Sequence, residues 1–144
     1  MAKDRSPRAG AEPRSREVRA PAASDTNGLT PVWSLALFDA DGPWGTCRFD
    51  PALDLWDVLS KLKNYESMKW SEILLNKKRD HSVEVGKLIS DAQKRLEERN
   101  LGEFEELFRF RLTGEQRLWG IRDGRIFRII WWDPEHEICP SNKQ

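Results

Sequence analysis

The sequence predicts an α+β domain in which helices cover one face of an antiparallel sheet. Three observations lead there. Residues 107–138 read as three strands in succession, with Asp123-Gly124 placed as a two-residue turn between Ile121-Arg122 and Arg125-Ile126. Two earlier stretches carry apolar residues at helical spacing: Ala52, Leu55, Trp56, Leu59 and Leu62, then Val85, Leu88, Ile89, Ala92 and Leu96. Of 144 residues, 38% are hydrophobic and 33% charged, an ordinary balance for one domain around one main core.

The elements follow in order. Residues 1–28 are rich in Arg, Pro, Ala, Ser and Asp with almost nothing to bury, which predicts a disordered tail ahead of a single domain over 29–144. Residues 32–38 have strand composition, and Asp39-Ala-Asp-Gly-Pro43 is a turn. Residues 44–49 then return as the second strand of a hairpin. Asp50-Pro51 reads as an N-cap followed by proline in the first helical turn, where a missing amide hydrogen costs nothing. A buried stripe follows on that helix, and a short helical piece over 69–75 brings Trp70, Ile73 and Leu74 to the same core. Ser82 is expected to cap a longer helix, closed by Asn100-Leu-Gly102. Thr113-Gly114 is the weaker of the two turns in the final sheet.

Charge narrows the function classes. The formal net charge is zero. The first 24 residues hold six basic and three acidic side chains, leaving 18 and 21 for the rest. A slightly acidic domain argues against a broad polyanion-binding surface and leaves room only for a focused site. Cys47 and Cys139 make no disulfide framework. No run is long and apolar enough for a bilayer, and no apolar signal core begins the chain, so the expectation is a cytoplasmic protein without a membrane contact. Gly-rich phosphate loops, nucleotide fingerprints and metal-protease helices are missing, and no cofactor is implied. Asp39 and Asp41 lack the remaining ligands of a calcium loop. His136, Cys139, His81 and Cys47 do not follow zinc-site spacing, so no metal is assigned.

The final sheet interleaves arginine with aromatic residues. With Asp123-Gly124 as the turn, Arg122 faces Arg125, and Gly120, Leu118 and Gln116 face Phe127, Ile129 and Trp131. An equally tight turn at Thr113-Gly114 adds Leu107, Arg109 and Arg111 to that side. The opposite side takes Phe108, Phe110, Leu112, Trp119, Ile121, Ile126, Ile130 and Trp132 as the core, with Arg117 and Arg128 awkwardly among them. Arg109, Arg111, Arg122 and Arg125 beside Phe127 and Trp131 would then suit a short stretch of RNA: guanidinium groups bind phosphate and aromatic rings stack on bases. The plain alternative is a solvated face whose arginines pair with loop carboxylates. A longer turn at Thr113-Gly114 would change the register and dissolve the grouping.

His136 follows the last strand through Asp133-Pro134 and is the candidate acid or base. In RNA cleavage by internal transesterification, a base removes the 2′-hydroxyl proton and an acid protonates the departing 5′-oxygen. Histidine does either job near neutral pH, with Glu135 or Glu137 to orient it and arginine to hold phosphate. The competing reading is a surface histidine in a turn that Asp133 caps. His81, beside the expected helix start, reads as a boundary or interface residue.

Two resemblances extend this. Arg117-Leu-Trp-Gly120 and Trp131-Trp-Asp-Pro-Glu-His136 resemble motifs of a group of uncharacterised small bacterial proteins, a likeness reaching back through Trp70 and Gln93-Lys-Arg-Leu96. More distantly, helices followed by an antiparallel sheet with strand arginines look like the RelE/ParE toxin superfamily over 107–138. That resemblance implies a RelE-like fold and a toxin-like endoribonuclease cutting mRNA on the ribosome, neutralised by a small antitoxin-like partner. It makes Arg111 or Arg117 the phosphate-binding arginine and His136 the late acid or base. The chain departs from it in its neutral charge, its extra N-terminal strands and tail, and the lack of a tyrosine near the C-terminus (Tyr65 is the only one). The alternative is a non-catalytic RNA- or protein-binding module.

Overall fold

The computed structural model describes residues 26–140. Strand β1 (Val32–Ser34) leads into an irregular stretch with a 3-10 turn at Thr46–Arg48. Helices α1 (Pro51–Glu66) and α2 (Trp70–Leu75), strand β2 (His81–Glu84), a 3-10 turn (Val85–Lys87) and helix α3 (Ser90–Glu98) come next. Strands β3 (Glu106–Arg111), β4 (Arg117–Asp123) and β5 (Ile126–Asp133) complete the order. The five strands form one sheet, β1-β5-β4-β3-β2. The α+β class is as expected, but the sheet is mixed: β1 runs parallel to β5, while the other pairs are antiparallel.

The expected hairpin over 32–49 does not form, because β5 offers β1 and the residues after it a better partner. Val32 N donates to Arg125 O, Asp39 N to Ile130 O, and Trp132 N to Trp44 O, so one irregular segment covers the whole outer edge of β5. The tail boundary also moves. Residues 1–25 of the expected tail lie outside the described residues, but 26–28 belong to the domain: Asn27 accepts from Arg122 at 2.6 Å and from Ser71 N at 2.8 Å.

Asp50 caps α1 as its sequence implies, with Oδ1 accepting from Ala52 N at 3.0 Å and Pro51 in the first turn. The buried stripe is different. Leu55, Trp56 and Leu59 are exposed, and α1 lies on the sheet through Val58, Leu62 and Tyr65. Tyr65 sets that rotation, since its hydroxyl reaches the buried Asp80 carboxylate at 2.9 Å. The Ser82-capped helix is a second correction. Residues 81–84 alternate half-buried His81, exposed Ser82, buried Val83 and exposed Glu84, and pair with β3; the helix begins at Ser90. Asn100 ends α3 at φ 61°, with Leu101 N returning to Leu96 O.

Helices cover both faces of the sheet, not one. Tyr65, Trp70 and Ile73 of α1 and α2 pack on Phe108, Phe110, Leu118, Phe127, Ile129 and Trp132. Ala92 and Leu96 of α3 pack on Leu107, Trp119, Ile130 and Trp131 from the other side, joined by Trp44 and Ile138. The cause is visible in the strands: Leu107-Phe108, Leu118-Trp119 and Trp131-Trp132 put apolar bulk on both sides of the pleat, and each side has to be covered.

Register decides which arginines share a face. Leu112 N donates to Gln116 O, so the β3–β4 turn has three residues, with Gly114 at φ 58°. That odd length flips β3 relative to the tight-turn expectation. Arg109 lies opposite Trp119 and Arg111 opposite Arg117. At the β4–β5 turn, Asp123 pairs with Ile126 and Arg122 with Phe127, a slip of two residues that keeps the faces. A bulge then adds one residue to β5, since Trp119 pairs with Trp131 and Gly120 with Ile129. Gly120 makes this possible: a Cβ there would lie 2.2 Å from Arg128 O and 2.7 Å from the Phe127 ring. Beyond the bulge, Trp131 faces α3 while Phe127 faces α1 and α2. None of the helices among the described residues is long and apolar enough to cross a membrane.

Candidate active site at the arginine pole

The anticipated RNA-binding face does not assemble. Phe127 and Trp131 are fully buried on opposite sides of the sheet, so neither ring is free to stack on a base. Trp131 Nε1 donates to buried Asp39 at 3.1 Å, and that carboxylate also takes both ends of the Arg95 guanidinium. Arg122 lies over the Trp70 ring at 4.4 Å and donates to Gly124 O at 2.7 Å, tying the 26–28 segment to the hairpin. Arg125 donates to Thr30 O and Thr30 Oγ1. These two arginines fasten the N-terminal segment.

The remaining candidates do come together. The three-residue turn puts Arg109, Arg111 and Arg117 on the α3 side of the sheet, at its β3–β4 end. The exit loop then brings His136 to them, with Arg117 Nη2 3.4 Å from its Nδ1. Asp133 builds that loop. Its buried carboxylate accepts from Glu137 N at 2.9 Å, Ile138 N at 3.1 Å and Trp119 Nε1 at 3.3 Å, which curls 134–138 into a tight turn. His136 takes the left-handed conformation there, φ 58°, uncommon for a residue with a Cβ. The turn-capping role for Asp133 and the clustering of His136 with arginine therefore hold together.

Sequence reasoning missed His81. In β2 it pairs directly with Arg109, on the same face. The signal was present in the alternation of His81, Ser82, Val83 and Glu84, which fits a strand better than a helix cap. The second omission is the buried set behind the site. Asp80 accepts from Tyr65 Oη and from Arg111 N at 2.9 Å, and Arg79 Nε donates to Tyr65 Oη at 3.1 Å. Burial raises the Asp80 carboxyl above its usual range and pushes the Tyr65 hydroxyl up to about 12.

The electrostatics of the pole are unusual. Arg109 and Arg117 are only 3% and 5% exposed, yet among the described residues neither forms a salt bridge. Their hydrogen bonds go to carbonyls: Arg109 donates to Arg79 O at 2.9 Å, and Arg117 to Gly114 O at 2.8 Å and Gln116 O at 3.1 Å, while Asp80 acts on Arg109, and Asp133 and Glu115 on Arg117, from beyond ion-pair distance. The Nε atoms of both arginines, and Nε2 of His136, are buried without a partner. Burial, then repulsion from Arg109 and Arg111, holds the Arg117 guanidinium down at about 10. Burial lowers Arg109 as well. His136 is lowered by burial first and by Arg117 and Arg109 next, so the imidazole is neutral at pH 7. An unpaired buried donor costs about 1–3 kcal/mol, more when charged, and a fold does not gain by accumulating three of them.

Hydrogen-bond partners assign the two tautomers. Arginine only donates, so its 3.4 Å contact fits the His136 tautomer in which Nδ1 accepts and Nε2 carries the proton, and the Cys139 backbone also acts on this imidazole. His81 Nδ1 lies 2.9 Å from Ser82 O, and a carbonyl only accepts, so Nδ1 is the donor. His136 also borders an open cleft of about 720 Å³ between the exit loop and α3, alongside Trp44, Arg48, Lys94 and Glu137. Arg48 in that wall is paired with Glu137 at 2.6 Å. Among the described residues no three His, Cys, Asp or Glu side chains stand together as a metal site, and Cys47 and Cys139 are not bridged. No protein-family model, curated protein or solved structure matches the chain.

Proposed function

We propose that the protein acts on RNA at the arginine pole, as a toxin-like endoribonuclease using acid–base chemistry of its own side chains. One observation carries the reading: two buried arginines that form no salt bridge among the described residues stand beside a histidine whose Nε2 is buried without a partner. Such a constellation is complementary to an anion. RNA phosphate would approach from the cleft that His136 borders and lie in the field of Arg109 and Arg117, with exposed Arg111 opposite Arg117 in the sheet.

The proton traffic follows from the tautomers. Burial is the first cause of the lowered His136, and a phosphate placed beside Arg117 would offset the second, the repulsion from the arginines, which favours the protonated imidazole when substrate is bound. Imidazolium Nε2–H then protonates the departing 5′-oxygen. His81 Nε2, about two strand spacings (~10 Å) from β4, is the candidate to accept the 2′-hydroxyl proton. The 2′-oxygen attacks phosphorus, the P–O5′ bond breaks, and the products are a 2′,3′-cyclic phosphate and a 5′-hydroxyl. The fixed guanidinium charges would stabilise the phosphorane. A RelE-like role on the ribosome, with a small antitoxin-like protein as inhibitor, is the finer part of this proposal.

The test is transcriptome-wide mapping of 5′-hydroxyl RNA ends after brief induction. Discrete cuts are expected from the natural protein, reduced by about 10²–10⁴-fold in His136→Ala. Equal cutting by both proteins would remove His136 from the mechanism, and no new ends would sink cleavage. A second reading, RNA binding without cleavage, is favoured by the burial and the neighbouring Arg117 and Arg109 that lower His136. Retained RNA affinity without cuts, lost in Arg111→Ala, would establish it.

A further inference from the structure

A second surface is independent of the RNA reading. Ala52, Leu55, Trp56 and Leu59 form a stripe at i, i+3, i+4 and i+7 on α1, and this stripe faces outward. Trp56 is 77% exposed and Leu53 72%, and Leu35, on the neighbouring loop, is 69% exposed. With Leu55 and Leu59 they present on the order of 600 Å² of apolar surface, the upper end for the largest patch on a monomer. A standard interface buries roughly 800 Å² per partner, so this patch is close to one half of such a contact. Beside it opens a groove of about 260 Å³ under Leu35 and Leu59, floored by Phe49, Leu118, Ile129 and Trp132, with a wholly apolar lining.

We propose that this face is the contact between two copies of the chain, with Trp56 of each seated in the groove of the other. The argument is the adjacency of knob and hole. Trp56 stands one helical turn from Leu59, which itself walls the groove. A two-fold axis beside α1 would set each indole over the opposite groove and close the assembly at two copies. An unrelated apolar peptide filling the groove would leave Trp56 in water, whereas a second copy covers both. Nothing at the arginine pole takes part, since the groove lies on the α1 side of the sheet and the pole on the α3 side.

The test is the mass of the full chain in solution by sedimentation velocity and light scattering. A dimer is expected for the natural protein, and a mass halved in Trp56→Ala and in Leu35→Lys, both exposed positions whose far-UV circular dichroism should be unchanged. A natural protein that stays monomeric at about 100 µM, the regime of only weak association, overturns the proposal and assigns the face to a different partner. A dimer that survives both substitutions overturns it too, by placing the contact elsewhere.

Discussion

Beneath α1 and α2, the rings of Phe108, Phe110 and Phe127 meet edge to face at 4.8–6.1 Å, with Tyr65, Trp70 and Trp33 around them. Their polar handles are mostly satisfied: Trp70 Nε1 donates to Arg125 O, Trp132 Nε1 to Arg48 O and Tyr65 Oη to Asp80. Beneath α3, the same three central strands carry Trp119 and Trp131 beside buried Arg109 and Arg117, which form no salt bridge among the described residues and whose Nε atoms have no partner. The first face is arranged for stability. The second gives stability away at one pole, and a natural fold tolerates that where the groups have another use. The contrast locates the candidate site better than the arginine count does, because most of the arginines among the described residues are structural.

The comparison breaks most visibly at Phe110. It is fully buried, 4.6 Å from Tyr65 and 4.8 Å from Phe127. Phe110→Ala is expected to cost about 3–5 kcal/mol, by lost transfer energy plus a cavity that stiff aromatic neighbours cannot fill. Urea denaturation measures it. A loss under about 1 kcal/mol would mean that the aromatic face is not the stabilising one.

Arg117 should behave in the opposite way. Arg117→Met removes a buried charge that has no carboxylate partner and keeps a long apolar stem. The expected outcome is a gain of about 1–2 kcal/mol, coupled to loss of RNA binding. Stability and function moving in opposite directions would mark the residue as held for its chemistry. A destabilised variant would show instead that the bonds to Gly114 O and Gln116 O hold the turn.

The smallest effect concerns pH. His136 is lowered in the folded chain below its ordinary 6.5. Its contribution to stability is therefore fully present above 6.5 and is lost as the pH falls from there through the folded value, because the unfolded chain takes up the proton first. Unfolding midpoints recorded between pH 7.5 and 5 should fall more steeply for the natural protein than for His136→Gln. Identical slopes would mean that neither burial nor the arginines depress this imidazole.

Much of the α+β order was legible along the chain. Asp50-Pro51 as a helix start and Asn100 as a stop work through bonds within a few residues, so local sequence suffices; the hairpin near Asp123-Gly124 was legible too, but its two turn residues are Gly124-Arg125, one position later than expected. The clustering of Arg111, Arg117 and His136 was anticipated too, though by resemblance rather than by face. What only the tertiary structure decided was parity and partner choice. One extra residue in the Thr113-Gly114 turn turned Arg109 and Arg111 to the α3 side with Arg117, and one bulge opposite Gly120 set Trp131 on the face opposite Phe127; helices on both faces buried both rings, and the pairing of β2 with β3 brought His81 beside Arg109. Partner choice at β5 likewise turned an expected hairpin into a parallel edge strand. Strand side chains alternate with a period of two, so a single residue gained in a loop redistributes a whole face, and its energy is settled by packing between segments far apart in sequence.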